Sequence, residues 1–234
     1  DGSAMVVDGM EIHDNNLSAV RVYDGRKVEL SNVSTSGNGH QATGPEDGAA
    51  MVFIESNDIE SNSGDVMCRT CISRADTWGG VWAQDSVDLW LDDVDIHDPL
   101  NGSIPIFIDN GGLTASYQGG RFQMHDVNVW VNRSGPAIDI VEAAGVIDGL
   151  YMHGSHQGLH WDANHNGIWT SELSHTVLRG SDCLILSNHS DLIGIGVNIS
   201  NDCSGNIQFN DVDANWSLTY DESGSHVLSL DANS

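Results

Sequence analysis

The sequence predicts an all-β fold, a parallel β-solenoid of about nine or ten coils of about 23 residues each. Three observations predict it. Apolar–x–apolar triplets, each followed by turn residues, recur along the chain. A second apolar element follows each triplet, with its own fixed period. The composition is that of short strands and many turns: among 234 residues there are 26 Gly, 26 Asp and 19 Asn, but only one lysine, Lys27. Asp, Asn and Gly accept turn geometry, whereas long helices favour Glu, Lys, Ala and Leu.

The first element occurs as Val20-Arg21-Val22, Val52-Phe53-Ile54, Val81-Trp82-Ala83, Ile106-Phe107-Ile108 and Ile138-Asp139-Ile140. It continues as Leu159-His160-Trp161, Leu184-Ile185-Leu186, Ile207-Gln208-Phe209 and Leu228-Ser229-Leu230. The second element is exemplified by Leu89-Trp90-Leu91-Asp92-Asp93-Val94 and Phe122-Gln123-Met124-His125-Asp126-Val127. Its last apolar residues align as Met10, Val33, Cys71, Val94, Val127, Leu150, Leu173, Val197 and Leu218, spaced 23, 38, 23, 33, 23, 23, 24 and 21. A period near 23 with two insertions fits one coil whose strands pair with the next coil about 4.8 Å away. One coil alone cannot bury its apolar face, so stacking supplies the stability. The gaps lack helix-length periodic segments, which argues against βαβ units.

The formal charge is −26, from 34 Asp and Glu against 8 Lys and Arg. That excludes a phosphate-backbone binder and disfavours anionic lipid surfaces, since both need clustered cations. No apolar run reaches the roughly 20 residues that span a bilayer. The acid surplus has two compatible explanations: solubility in saline water, or Ca²⁺ binding outside the cell. Asp92, Asp93, Asp95 and Asp98 cluster after a strand as candidate Ca²⁺ ligands, without an EF-hand or Gly-Gly-x-Gly-x-Asp string. His153, His156, His160 and His165 invite a transition-metal reading, against which stands their spread over a corner and a strand.

Cys68 and Cys71 form one CxxC, with no second CxxC and no His at finger spacing, so a zinc site is disfavoured. A short disulfide or two buried thiols are the alternatives. Cys183 and Cys203 lie 20 residues apart, near one repeat, where they could meet across coils. The sequon Asn-x-Ser/Thr occurs at Asn16, Asn32, Asn101, Asn132, Asn188, Asn198 and Asn215. This abundance points to an exported, glycosylated, extracellular or cell-surface chain; its competitor is the plain frequency of Asn and Ser in turns.

On this pattern the chain, over about 4–231, resembles the right-handed parallel β-helix superfamily, the pectate-lyase-like solenoids. The resemblance is at fold level. It implies a single-stranded right-handed helix, expected to be one domain over 1–234, and a family setting of polysaccharide lyases, glycoside hydrolases, tailspikes, adhesins and surface proteins. No pectate-lyase or polygalacturonase catalytic string can be carried over, and the Thr ladders of ice-binding members are missing, with only eight Thr. Neither end carries an amphipathic cap, so a segment of a longer solenoid, or ends covered by a neighbouring domain or a second copy, is expected.

Alternation places Arg21, Phe53, Trp82, Phe107, Asp139, His160, Ile185, Gln208 and Ser229 outward on the first element, followed by Glu55, Gln84, Asp109 and Asp162. Phe53, Trp82 and Phe107 would form an aromatic ladder, walled by insertions at 34–48 and 109–121. Arg21 and Gln84 would assist in holding a polysaccharide or other glycan. The alternative is a ladder covered by those loops. Asp109, Asp139, His160 and Asp162 are the candidate acid/base residues of a lyase or glycoside hydrolase. The expected function is a structural or glycan-binding module of a surface or filament-forming protein, self-associating end to end, with the enzyme as the alternative.

Overall fold

The structure is a computed structural model that describes residues 4–23, 27–54, 64–84, 87–97, 99–100, 103–109, 121–154, 156–163, 171–181, 183–187, 192–199, 207–210, 214–220 and 227–228. These residues are mostly strand joined by turns, with one four-residue helix, Pro45–Gly48. No helix among them is long and apolar enough to cross a membrane.

Short and long strands alternate along the chain and sort into two sheets. The short strands Val20–Tyr23, Met51–Ile54, Val81–Gln84, Ile106–Asp109, Ile138–Val141, Leu159–Asp162, Leu184–Ser187 and Ile207–Asn210 form an eight-stranded sheet in that order. Each pairs in parallel with the next. The second sheet has thirteen strands and starts at Ala4–Asp8. It runs through Lys27–Ser31, Gly64–Arg74, Val87–His97, Arg121–Trp130 and Ala144–His153 to Ser171–Ser174 with Val177–Leu178, Leu192–Ile199 and Ala214–Tyr220. All its described pairings are parallel except that of Ala214–Tyr220 with Val227–Leu228. In the parallel part of each sheet, successive strands thus lean on their equivalents one repeat later. These stacked parallel sheets are compatible with the β-solenoid that the period predicts.

The long strands bend once in the middle, and the bend is written in the sequence. Gly9, Asn32, Thr70, Asp93, Asp126, Gly149, His175 and Gly196 all have φ between 46° and 78°. They occupy equivalent places in successive coils. Asn, Asp and Gly tolerate this left-handed conformation with least strain, which explains why the turn-forming residues recur inside an apolar element.

Between the sheets lies one continuous core. The short strands contribute Val20, Met51, Val81, Ile106, Ile138, Leu159 and Leu184, and the long strands Val28, Val66, Leu89 and Phe122 together with Leu30, Cys68, Leu91, Met124 and Ile147. Each fully buried side chain of this size is worth about 1.5–3 kcal/mol. Size is compensated locally. A Cβ on Gly145 would lie 2.3 Å from the Phe122 carbonyl and 2.6 Å from its ring. Phe122 in turn meets Trp161 edge-on at 5.1 Å, and the buried indole N–H of Trp161 donates to the Ala143 carbonyl at 2.8 Å.

Four sequence expectations are corrected. Leu228, expected to open a ninth short strand, pairs antiparallel with Leu218 in the long-strand sheet instead. Met51, not Val52, pairs with Val20 and Val81, so the triplet slips by one residue and Phe53 turns inward. Phe53 is 1% exposed and belongs to the core. Leu173 pairs with Ile147, so the partner of Leu150 is Thr176, three residues later. Thr176 is fully buried in this apolar row because its hydroxyl donates to the Ser174 carbonyl at 2.9 Å. The first insertion is also not one wall. Within 34–48, Ser34–Ser36 joins the long sheet and Pro45–Gly48 is the helix.

Cys68 and Cys71 form a disulfide across the Thr70 bend. Both sulfurs are buried in the rows of Leu30 and Val33. Cys183 is also disulfide-bonded, and Cys203 lies outside the described residues.

Candidate functional site

The outward side of the short-strand sheet carries the site. Its middle row, fixed by strand pairing, reads Arg21, Val52, Trp82, Phe107, Asp139, His160, Ile185 and Gln208. The next row includes Tyr23, Ile54, Gln84, Asp109 and Val141, and further on Asp162 beside Ser187. Val52 is buried although it holds an outward place. The expected aromatic ladder is therefore a pair, Trp82 and Phe107.

These two rings stack with centroids 4.0 Å apart and planes 19° apart. The Trp82 indole N–H donates to Gln84 Oε1 at 3.3 Å. Because the rings lie on successive strands, each shields one face of the other, and the pair presents a ridge of ring edges.

The next rung is Asp139, followed by His160. Asp139 is half-buried, and burial pushes its carboxyl above the ordinary value; nearby Asp109 pushes the same way, while His160 and Arg133 pull it back. A carboxyl raised by desolvation and flanked by an imidazole is suited to hold or move a proton. Asp109 supplies a second carboxyl close enough to be felt.

Sequence reasoning missed Arg133. It follows the strand Arg121–Trp130 and precedes Ile138–Val141, outside every apolar triplet. Its Nε and Nη1 are buried without a hydrogen-bond acceptor among the described residues, and its charge acts on Asp139. Its guanidinium packs over Gly135, where a Cβ would lie 2.3 Å from Nη2. The available signal was its rarity: one of eight cationic residues, placed directly before a face strand. Arg21, by contrast, sits at the far end of the face, bound to Asp47 and to the Tyr23 hydroxyl.

The metal candidates do not converge. Asp92 accepts from Arg69 at 3.0 Å and from His125 at 3.3 Å, within a charge ladder that continues to Asp148 and His175. Asp93 is a bend residue, Asp95 lies on the strand beyond it, and Asp98 is outside the described residues. His153 is on the long-strand sheet with His156 near it, His160 is on the short-strand sheet, and His165 is not described. Among the described residues no group of three or more His, Cys, Asp or Glu is arranged to hold a metal ion. Of the sequons, Asn16, Asn32 and Asn132 are exposed, with Asn32 donating to Asp8 at 2.9 Å. Asn198 and Asn215 lie on strands whose side chains there are not described, and Asn101 and Asn188 are outside the described residues. The insertion wall at 110–120 is likewise outside them.

No protein-family model, no curated protein and no solved structure matches this chain.

Proposed function

We propose that the chain is a right-handed, single-stranded parallel β-helix module of an extracellular surface or filament-forming protein, and that its short-strand face binds a glycan. The observation that carries this is the sequence of rungs along one face: the Trp82–Phe107 ridge, then Asp139 and His160, with Arg133 behind. Apolar ring surface packs against sugar C–H groups, and the carboxyl, imidazole and guanidinium bond hydroxyls or a sugar carboxylate. The proposed role includes end-to-end association, with a neighbouring domain or a second copy stacked on a terminal coil. The test is retention on a panel of immobilised glycans, with Trp82→Ala and Asp139→Ala as variants. Loss of retention in both supports the proposal; retention unchanged in both overturns it.

A second reading, a polysaccharide lyase or glycoside hydrolase, is favoured by one observation, the raised and half-buried Asp139 carboxyl beside His160 and Asp109. Turnover of any panel glycan that Asp139→Ala abolishes would establish it in place of a binding-only role.

A further inference from the structure

The long-strand sheet carries a second constellation, unrelated to the short-strand face. Beyond the bend, Arg74, His97, Trp130 and His153 occupy one outward row in successive coils. The Trp130 indole stacks on His97 with centroids at 5.7 Å and on His153 at 3.8 Å, all nearly parallel. Arg179 follows one residue after the strand Val177–Leu178, and both it and His97 act electrostatically on His153. The column Arg74–His97–Trp130–His153–Arg179 therefore climbs four coil steps, about 19 Å at the strand spacing.

Two properties make it more than packing. Trp130 is 43% exposed while both its faces are covered by imidazoles. Solvent then meets ring edges, and the edges of indole, imidazole and guanidinium carry N–H donors. The column is a ladder of donors and cations on a chain of net charge −26. The second property lies at its upper end. His156 is 2% exposed, and its Nδ1 accepts the Gly158 N–H at 2.9 Å. A neutral ring that accepts at Nδ1 carries its proton on Nε2. That Nε2–H is buried and has no hydrogen-bond partner among the described residues. Its electrostatic neighbours are His153 and Arg179. A buried donor without an acceptor, next to two basic groups, is the complement of an anionic oxygen.

We propose that this column, with the His156 Nε2–H behind its upper end, binds an acidic polysaccharide, a chain of uronate or sulfated sugars laid along the stacking direction. The donors recur at a fixed strand spacing, which suits a linear polymer with an anionic group at a regular repeat. Duplex nucleic acid carries one charge per about 1.7 Å, far denser than a ladder with one rung per about 4.8 Å. The site lies on the other sheet from Trp82 and Asp139 and stands or falls independently of the function proposed for them.

The experiment is affinity electrophoresis of the whole chain through gels containing polygalacturonate, dextran sulfate, neutral dextran or single-stranded DNA, at low and high salt. Retardation by one or both acidic polysaccharides and not by neutral dextran is expected, weakening with salt. The double variant Arg74→Ala/Arg179→Ala is expected to raise the apparent Kd at least tenfold. His156→Asn, which keeps an acceptor for Gly158 but has its donors elsewhere, is expected to raise it several-fold. Gln123→Ala, an exposed residue of the same sheet before the bend, should leave it unchanged. Circular dichroism melts of each variant establish that the fold persists. No retardation by either acidic polysaccharide, equal retardation by neutral dextran or DNA, loss on Gln123→Ala alone, or a dimer in sedimentation that the double arginine variant dissolves would each overturn the proposal.

Discussion

Removing one buried carboxylate should loosen the first three coils together. Asp76 is 1% exposed. Its Oδ1 accepts the Asn38 backbone N–H at 2.9 Å and the Asn38 side-chain N–H at 2.8 Å; its Oδ2 accepts the hydroxyls of Thr35 at 2.8 Å and Ser73 at 2.7 Å. Asn38 passes the linkage on, donating to the Ile12 carbonyl at 3.1 Å and accepting from the Asn15 backbone and side chain. In Asp76→Ala, Thr35 can turn to the Ile72 carbonyl at 3.5 Å, but two Asn38 donors and the Ser73 hydroxyl lose their acceptor. A buried unsatisfied donor costs about 1–3 kcal/mol, so a loss of about 3–5 kcal/mol is expected. Asp76→Asn keeps Oδ1 for Asn38 and turns its amide to two hydroxyls that can rotate to accept, losing only charge assistance, about 1 kcal/mol. The assay is urea unfolding followed by tryptophan fluorescence, with hydrogen exchange to localise the change. Stacked coils contact mainly their neighbours, so exchange should accelerate first in Glu11–His13, Ser34–Ser36 and the Ser73 end of Gly64–Arg74. A cost below about 1 kcal/mol for Asp76→Ala, or an equal cost for Asn and Ala, would refute the reasoning.

Other expectations follow from the same geometry. Asp139 has a raised carboxyl in the fold, so between its ordinary value of 3.8 and the higher folded value the native state binds more protons than the unfolded one. Stability contributed there is present below 3.8 and lost as pH rises; Asp139→Asn should therefore be more stable than the parent at neutral pH, with the advantage gone near pH 3, measured by thermal melts. His156 is pushed down to about 4, chiefly by burial and then by His153 and Arg179. Between about 6.5 and 4 the unfolded state binds the extra proton, so stability should fall by up to about 3 kcal/mol as pH drops through that window. His156→Asn should flatten that slope in urea titrations at pH 4.5 and 7. Gly158 has φ +93°, and a Cβ there would lie 2.3 Å from the Cys183 carbonyl of the next coil. Gly158→Ala should cost about 2–4 kcal/mol in the melting assay through strain and overpacking. Trp161→Phe should cost about 1–3 kcal/mol by leaving the buried Ala143 carbonyl without its donor.

The repeat was legible because it is local. Alternation within four residues and a left-handed bend every coil leave their marks on neighbouring positions, and both survive any detail of stacking. The bend residues even explain Asp93, which charge alone makes look like a metal ligand. Asp139 and His160 were also legible as neighbours, since the coils from Ile138 to Leu184 carry no insertion that disturbs their register.

The misplacements all concern register between coils. Phe53 and Val52 satisfy the same apolar pattern, and only the pairing of Met51 with Val20 and Val81 decides which one enters the core. Thr176 fills a core row that Leu173 matches better by composition, because a local hydroxyl-to-carbonyl bond removes the cost of burying it. The members of the His97–Trp130–His153 column lie far apart in the chain from one another, and Arg133 reaches Asp139 only through the turn between two strands of different sheets. By itself the amino-acid order determined the period, the strand type, the turn chemistry and which residues are apolar. Tertiary structure decided which side chain faces out, which distant groups share a rung and which buried donors find acceptors. One residue of slip between parallel strands costs little in local conformation yet exchanges the two faces of a strand, so only the packed stack selects among registers.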